Sequence, residues 1–209
     1  MTSKVGVAYV AIGGFMFASF TAFVQLLADY SSYVVVGQRV IWGLSVVLLF
    51  EFFRGNIKTL LAPLFDKNNW LNLIVGACLI APQYWIFAWA PVNGYILDFA
   101  LAYFLLPLIL IFIGRVFHKN KLSILQWSGV ALAALGVVYA FINYGGMSWV
   151  VLWCCTGMTF YILHKKRQKI PVLSSFVIEN IIMLPVALVL IVVFSDATHP
   201  FDFPLNTLF

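Results

Sequence analysis

Seven long apolar runs divide this sequence, and each is about as long as a helix must be to cross a lipid bilayer. A membrane-spanning helix needs about 20 mostly apolar residues, because it rises about 1.5 Å per residue through a hydrocarbon core about 30 Å thick. Transmembrane β-strands would instead show alternating segments of about 10 residues. In chain order, the first to seventh spans are residues 5–27, 33–53, 71–90, 95–114, 125–142, 147–163 and 172–194.

Composition identifies lipid as the solvent of these spans. Of the 209 residues, 64% are hydrophobic and 9% are charged, whereas a soluble domain has about 45–50% apolar and about 25% charged residues. The sequence therefore predicts an all-α, polytopic helical membrane protein of about seven transmembrane helices. The net charge of +5 does not indicate a nucleic-acid partner, because the cations lie in the gaps between apolar runs. An anionic inner leaflet is the better partner for them.

The distribution of Lys and Arg predicts the orientation. Eleven of the 12 cations precede the first span or follow the second, fourth and sixth spans: Lys4; Arg54, Lys58 and Lys67; Arg115, Lys119 and Lys121; and Lys165, Lys166, Arg167 and Lys169. Because cationic loops stay in the cytoplasm, we expect the N-terminus inside and the C-terminus outside an inner or plasma membrane. The first apolar run is too long for the core of a signal peptide, which spans about 7–15 residues, so it is read as a helix.

The sequence shows no pattern typical of a metal site, a cofactor site or an enzyme. Its three cysteines, Cys78, Cys154 and Cys155, lie inside apolar runs and form neither a CxxC nor a Cys/His spacing. We expect them to pack as small residues between helices. We find no nucleophile–base constellation and no glycine-rich phosphate loop, so no catalytic residue, metal or cofactor is predicted.

Three ionisable residues lie inside the spans: Arg39, Asp98 and Glu179. A charge within the bilayer costs about 2.5–3.5 kcal/mol on insertion scales, so each is a functional candidate. Arg39 and Asp98 both fall in the outer half of the membrane, within roughly 3 Å of depth at the helical rise per residue. We expect them to form a pair, which either joins the second and fourth spans or lines a polar cavity.

Glu179 lies in the inner half, roughly 12 Å below Arg39 in depth. Two interpretations stay open for it: a proton or cation site, or a packing residue near the cytoplasmic mouth. Glu51, at the inner end of the second span, is interpreted as an interfacial charge.

Uncharged polar and aromatic residues extend the candidate cavity. Gln38, Gln83, Tyr103 and Trp85 are candidate lining residues, with Phe104 as a further aromatic wall. Prolines remove a helical hydrogen bond, and backbone polar groups freed in this way are tolerated only against protein or a water-filled cavity. We therefore predict helix breaks at three prolines and a cavity built from the second, third, fourth and seventh spans. The prolines are Pro82, Pro107 and Pro185.

An offset of 140 residues indicates an internal repeat. It places Ser19-Phe20 on Thr159-Phe160 and Arg39 on Glu179, so the first two spans fall on the last two. Five spans separate the copies, and an odd number inverts the second copy in the membrane, as in many secondary transporters. The predicted units are residues 1–142 as a five-helix repeat, 147–194 as the first two helices of a second repeat, and 195–209 as an extracytoplasmic tail.

The sequence resembles the RarD-type permeases of the EamA branch of the drug/metabolite transporter superfamily. The resemblance covers essentially the whole chain. Its motifs are Gln38-Arg39-Val40-Ile41-Trp42, Trp85-Ile86-Phe87-Ala88-Trp89-Ala90, Leu97-Asp98 through Tyr103-Phe104 with Pro107, Gln126-Trp127 through Gly129 with Gly136-Val137, and Ile178-Glu179 through Leu184-Pro185.

This resemblance implies ten helices in two inverted five-helix repeats and the movement of small molecules. It carries Arg39, Asp98 and Glu179 onto positions where the family has Arg and carboxylates. The chain departs from the family pattern where Gln38 replaces a His, where Gln83 replaces an Asn, and where Lys119-Asn120-Lys121 replaces a Gly-Glu-Arg motif.

Two functions follow from these patterns. The first is a secondary transporter of small molecules, with substrate, direction and coupling ion open. The second is a truncated or accessory membrane subunit that does not transport alone, because the last three helices of the family pattern are not found. A homodimer or a partner subunit would then complete the bundle.

Overall fold

A computed structural model of the chain describes residues 3–118, 124–144 and 148–194, most of which are helical. The helices are α1 (Ser3–Leu26), α2 (Ser32–Phe53), α3 (Ile57–Leu61), α4 (Lys67–Trp89), α5 (Ile96–His118), α6 (Ile124–Tyr144), α7 (Trp149–Arg167) and α8 (Val172–Phe194), with a 3₁₀ turn at Ala62–Leu64. The polytopic helical membrane fold predicted from the sequence is confirmed, and a long helix covers each of the seven spans.

The number of spans and their orientation stay predictions. By length and hydropathy alone, four segments among the described residues qualify to cross a membrane: Ser32–Phe53, Lys67–Trp89, Ile96–Arg115 and Val172–Phe194. The loop residues Lys119–Lys121 and the tail 195–209 lie outside the described residues, so the predictions made for them are untested.

Local chemistry explains where α4 begins and where α2 ends. The Asp66 carboxylate accepts hydrogen bonds from the Asn68 backbone N–H at 3.1 Å and from the Asn69 side-chain amide at 3.0 Å. Such an N-cap satisfies a donor that the first helical turn leaves unpaired, so α4 starts four residues before the predicted third span. Gly55 follows α2 at φ +71°, a left-handed conformation that suits glycine at a helix C-terminus.

A short turn separates the helices of the third and fourth spans. The chain leaves α4 after Trp89 and enters α5 at Ile96, and Gly94 lies between them at φ +83°. The predicted helix breaks are wrong, however. Pro82, Pro107 and Pro185 lie inside the continuous helices α4, α5 and α8. A proline removes one hydrogen bond, which a membrane helix packed against neighbours tolerates without ending.

Ring and polar contacts fix how the helices run relative to one another. Tyr33 at the start of α2 stacks on Phe194 at the end of α8, with ring centroids 4.4 Å apart, so these two helices are antiparallel. His164 near the end of α7 contacts the Asn72 carbonyl near the start of α4 at 2.8 Å, so these two are antiparallel as well. The cationic end of α7 therefore lies beside the first turns of α4.

The opposite end of the bundle is aromatic. Trp89 stacks on Trp85 at 5.4 Å and on Tyr95 at 5.4 Å, and it contacts Trp149 at 5.5 Å. These rings join the end of α4 to the first turns of α5 and α7. Aromatic side chains favour the membrane–water interface, so this end is a candidate for the outer boundary.

Helix α4 is central in the packing. It contacts α2, α7 and α8, while α2 packs along α8, α5 along α7, and α6 on α5. One buried cluster joins α2, α4 and α8 through Val40, Ala77 and Met183. Many large apolar side chains remain exposed on the outside, including Phe15, Phe53 and Leu132. A surface of this kind fits contact with lipid rather than water.

Candidate functional site

A buried carboxylate lies at the interface of α4, α7 and α8. Glu179, in the middle part of α8, is 1% exposed. Its immediate neighbours Ile178 and Asn180 are also buried, so this part of α8 lies inside the bundle. An isolated charge in such surroundings is costly unless it is paired and hydrogen-bonded.

Lys165 supplies the pairing charge. Its Nζ lies 2.8 Å from Glu179 Oε1, and the two side chains are 16% and 2% exposed, respectively. The sequence placed Lys165 in a cytoplasmic loop, but α7 continues to Arg167, so Lys165 belongs to the last turn of that helix. The sequence could have indicated that Lys165 reaches Glu179. Glu179 lies about 10 Å from the start of α8, and a lysine side chain can extend from a helix end into that depth.

Two hydroxyl groups complete the surroundings of the carboxylate. The Tyr161 hydroxyl donates to Glu179 Oε2 at 3.0 Å. Ser175, one turn before Glu179 on α8, has its Oγ 3.1 Å from Oε1 and in contact with Lys165 Nζ. The Lys165 ammonium also lies over the Tyr161 ring, 5.3 Å from its centroid. Both carboxylate oxygens are therefore engaged, which is the condition for a stable buried charge.

A glycine on α4 makes room for this arrangement. A Cβ built at Gly76 would overlap the carboxylate of Glu179. Any other residue at this position would force the carboxylate to move or α4 to separate from α8.

Polar contacts next to the ion pair join α7 to α4. The Asn72 carbonyl accepts from Gln168 Nε2 at 2.9 Å and lies 2.8 Å from His164 Nε2. Gln168 Oε1 also lies 3.2 Å from the Ser175 hydroxyl of α8. The last turn of α7 is therefore tied to both α4 and α8 at the cationic end of the bundle.

Arg39 lies in a different environment from the one predicted. Its guanidinium stands over the rings of Tyr84 at 4.2 Å and Phe87 at 4.9 Å, an arrangement in which the ring faces attract the cation. Asp98 is in the first turn of α5, where the helix dipole favours a negative charge. The described residues show the ion pairs Lys165–Glu179 and Arg54–Glu51, and the expected Arg39–Asp98 pair stays a prediction.

Tyr84 connects the surroundings of Arg39 to α8. The Tyr84 hydroxyl is within hydrogen-bonding reach of the Asn180 side chain, whose amide also donates to the Phe176 carbonyl at 2.7 Å. Asn180 is the residue next to Glu179. A strip of polar groups from α2, α4, α7 and α8 thus runs through the interior. We call it the polar strip; its members are Arg39, Tyr84, Asn180, Tyr161, Glu179 and Lys165.

The other candidate cavity residues are spread over several environments. Gln83 is buried against α7, where its Nε2 donates to the Trp153 carbonyl at 3.3 Å and its Oε1 has no hydrogen-bond partner in the described structure. Trp85 lies in the aromatic stack, and Tyr103 packs against Phe99 with ring centroids 4.8 Å apart. Gln38 is half-buried on α2.

One predicted wall residue faces elsewhere. Phe104 is exposed and lines an apolar groove of about 420 Å³ between α5 and α6, together with Gly129, Leu132 and neighbouring residues. The lining of this groove is apolar, and none of its lining residues belongs to the polar strip.

Two of the three cysteines pack between helices as the sequence predicted, whereas Cys78 is exposed. All three are free thiols, and Cys154 and Cys155 are buried where α7 meets α5. Cys155 Sγ donates to the Ala102 carbonyl at 3.3 Å.

Comparison with known proteins identifies related bacterial membrane proteins. The Chloramphenicol-sensitive protein RarD of Pseudomonas aeruginosa is 35% identical over 191 residues, which cover 89% of this chain and 64% of the relative. The Uncharacterized transporter YojE of Bacillus subtilis is 29% identical over 189 residues, with coverages of 89% and 63%. Protein RarD of Escherichia coli is 27% identical over 199 residues, with coverages of 94% and 66%.

The chain thus spans less than two thirds of the length of these relatives. No protein-family model matches the chain, and no solved structure matches it significantly.

Proposed function

We propose that the chain, which is similar to RarD proteins over most of its length, is a secondary transporter that moves small molecules across the inner or plasma membrane. Its relatives support a membrane transporter in general, since several carry the word transporter in their names. The substrate is not specified by these names.

The single observation that carries this proposal is the buried Lys165–Glu179 ion pair. Lys165 Nζ and Glu179 Oε1 are 2.8 Å apart, inside a bundle that exposes many large apolar side chains. Replacing a buried ion pair by apolar residues is often neutral or stabilising, so a pair of this kind is weak support for a purely structural role. Charges inside membrane helices mark substrate and ion pathways more often than packing contacts.

The position of the pair supports alternating access. Lys165, Gln168 and His164 tie the last turn of α7 to α8 and α4 at the cationic end. In this proposal, that end faces the cytoplasm and the ion pair closes it. Separation of Lys165 from Glu179 would free the end of α7 and open the polar strip to the inside. Arg39, over its aromatic rings, would contact substrate nearer the outer end.

A second candidate function is an accessory membrane subunit. The relatives contain more than a third of their length outside the matched region. Under this alternative the chain binds a second copy or a helical partner and transports only in that assembly. Light scattering of the purified protein in detergent, corrected for bound detergent, measures the number of copies. A monomer that transports alone contradicts the alternative.

The transporter proposal is tested in two steps. A thermal-shift screen of metabolites and drugs on purified protein first identifies a ligand; chloramphenicol is included because the name of one relative refers to it. Uptake of that ligand is then measured in proteoliposomes. We expect uptake above that of protein-free liposomes, and a loss of about tenfold or more in Arg39→Ala and Glu179→Gln. Uptake equal to that of protein-free liposomes would refute the proposal, and full uptake by both variants would refute the site.

A further inference from the structure

The space filled by the Lys165 ammonium has the composition of an ammonium-binding site. Around Nζ lie Glu179 Oε1 at 2.8 Å, the Ser175 hydroxyl oxygen, and the Tyr161 ring with its centroid at 5.3 Å. A carboxylate, a neutral acceptor and an aromatic face are the three groups that best stabilise a compact cation with N–H donors. In the structure, the Lys165 ammonium itself occupies this site.

The anionic half of the site is fixed in place. Glu179 is held on one oxygen by the Tyr161 hydroxyl at 3.0 Å and on the other by Ser175 at 3.1 Å. Gly76 of α4 packs directly against the same carboxylate. With 1% exposure and contacts from three helices, Glu179 cannot leave without disturbing the bundle.

The cationic half is the more exposed of the two and lies nearer a helix end. Lys165 reaches the carboxylate from the last turn of α7, and its side chain is 16% exposed. Its neighbours Lys166 and Arg167 are exposed at the cationic end. A lysine has a flexible four-carbon stem, so its ammonium can swing from Glu179 to the aqueous end of the helix by side-chain rotation alone.

From this geometry we propose that the Glu179 site binds the primary ammonium group of a substrate when Lys165 swings out, so that Lys165 is a tethered competitor. The substrate class is then small molecules that carry a primary ammonium. This inference rests on the proposed transport function and names the substrate class of the same site. A quaternary ammonium is excluded from the class because it has no N–H to give to Glu179 and Ser175.

The probe is ethylammonium, which is the end of a lysine side chain without its tether. Its binding is measured as the concentration-dependent rise in melting temperature of purified protein at constant ionic strength. Sodium chloride and tetramethylammonium chloride serve as the control salts. The variants are wild type, Lys165→Ala, Lys166→Ala and the double variant Lys165→Ala/Glu179→Gln. Lys166→Ala is the matched control because it removes an exposed ammonium from the same helical turn.

We expect Lys165→Ala to bind ethylammonium about tenfold or more tightly than wild type. In wild type the Lys165 ammonium fills the site most of the time, so removing it raises the fraction of protein molecules whose site is open to ethylammonium. Lys166→Ala is expected to behave as wild type, and the double variant and tetramethylammonium to give no specific shift. Equal affinities in Lys165→Ala and wild type would overturn the proposal, as would equal binding by the double variant.

A folding defect in Lys165→Ala would also test the proposal, since this substitution leaves the Glu179 carboxylate buried without its cationic partner. The proposal then requires folded protein to be recovered from ethylammonium chloride and not from sodium chloride, and recovery from neither salt contradicts it. Ethylammonium binding without protein-dependent uptake of any ligand would overturn the transport proposal alone. Uptake without ethylammonium binding would overturn the substrate class alone.

Discussion

At the scale of single residues, the centre of this molecule is a carboxylate held by groups from three helices. Lys165 and Tyr161 approach Glu179 from α7, Ser175 from α8, and Gly76 gives it space on α4. Removing one partner of a buried charge pair costs about 3–5 kcal/mol, because the other charge stays buried and unpaired. The stability of the buried charge therefore depends on these particular side chains and is not a general property of polar residues in the bundle.

The first prediction concerns the glycine in this group. Gly76→Ala is expected to destabilise the protein by about 1–3 kcal/mol, because the added methyl group overlaps the Glu179 carboxylate. The free energy of unfolding can be measured in mixed micelles with increasing SDS. Gly13→Ala in α1 is the control, since a Cβ at that position has open space. Similar stabilities for the two variants would contradict the packing of Gly76 on Glu179.

The sequence predicted one half of the ion pair and missed the other. Glu179 was identified because a carboxylate inside an apolar run is costly. Lys165 was assigned to a loop because its neighbours Lys166 and Arg167 are cations and the apolar run ends near residue 163. Hydropathy shows only where the apolar residues end, and α7 extends one turn beyond that point. Arg39 was paired with Asp98 on depth alone, which stays a prediction, and depth could not indicate that the Arg39 guanidinium stands over the Tyr84 and Phe87 rings.

At the scale of helices, the sequence predicted the elements better than their ends. Four of the seven long helices follow their apolar runs closely, whereas α4 starts four residues earlier at its Asp66 cap and α5 and α7 each end four residues later. The short helix α3 was not predicted, because its five residues are too few to show a periodicity. Shifting α2 by 140 residues places it on residues 172–193, and α8 covers Val172–Phe194. This agreement supports the proposed inverted repeat, which stays a prediction.

The second prediction tests the close packing of α2 on α8. A Cβ at Gly37 would lie 2.6 Å from Ile191 Cγ1 and 2.9 Å from the Ala187 carbonyl oxygen, so Gly37→Ala must push the helices apart. We expect a loss of about 1–3 kcal/mol in the free energy of unfolding. Gly43→Ala in the same helix is the matched control, because a Cβ at Gly43 would lie at an ordinary 3.8 Å from the Phe176 ring. A Gly37→Ala variant as stable as Gly43→Ala would show that α2 and α8 are not in this contact.

At the scale of the whole molecule, the two ends of the bundle differ in chemistry. One end carries Lys165, Lys166 and Arg167 beside the start of α4, and the other carries the aromatic stack around Trp89. This asymmetry is the basis for placing the cationic end in the cytoplasm.

The third prediction tests that orientation. In a background with Cys78→Ser, single cysteines are introduced as Asn93→Cys at the aromatic end and Lys166→Cys at the cationic end, where both native residues are exposed. A membrane-impermeant maleimide added to intact cells should label Asn93→Cys, and should label Lys166→Cys only after the membrane is permeabilised. The reverse pattern would mean that the bundle is inserted the other way.

The central claim, that the Lys165–Glu179 pair is the working centre of a transporter, is tested most directly by uptake in proteoliposomes. Glu179→Gln is compared with Glu51→Gln. Glu51 is a second buried carboxylate, and it lies 3.7 Å from the exposed Arg54. With equal amounts of folded protein, we predict that Glu51→Gln keeps wild-type uptake of the screened ligand and that Glu179→Gln loses about tenfold or more. Wild-type uptake by Glu179→Gln, or an equal loss in both variants, would contradict the claim.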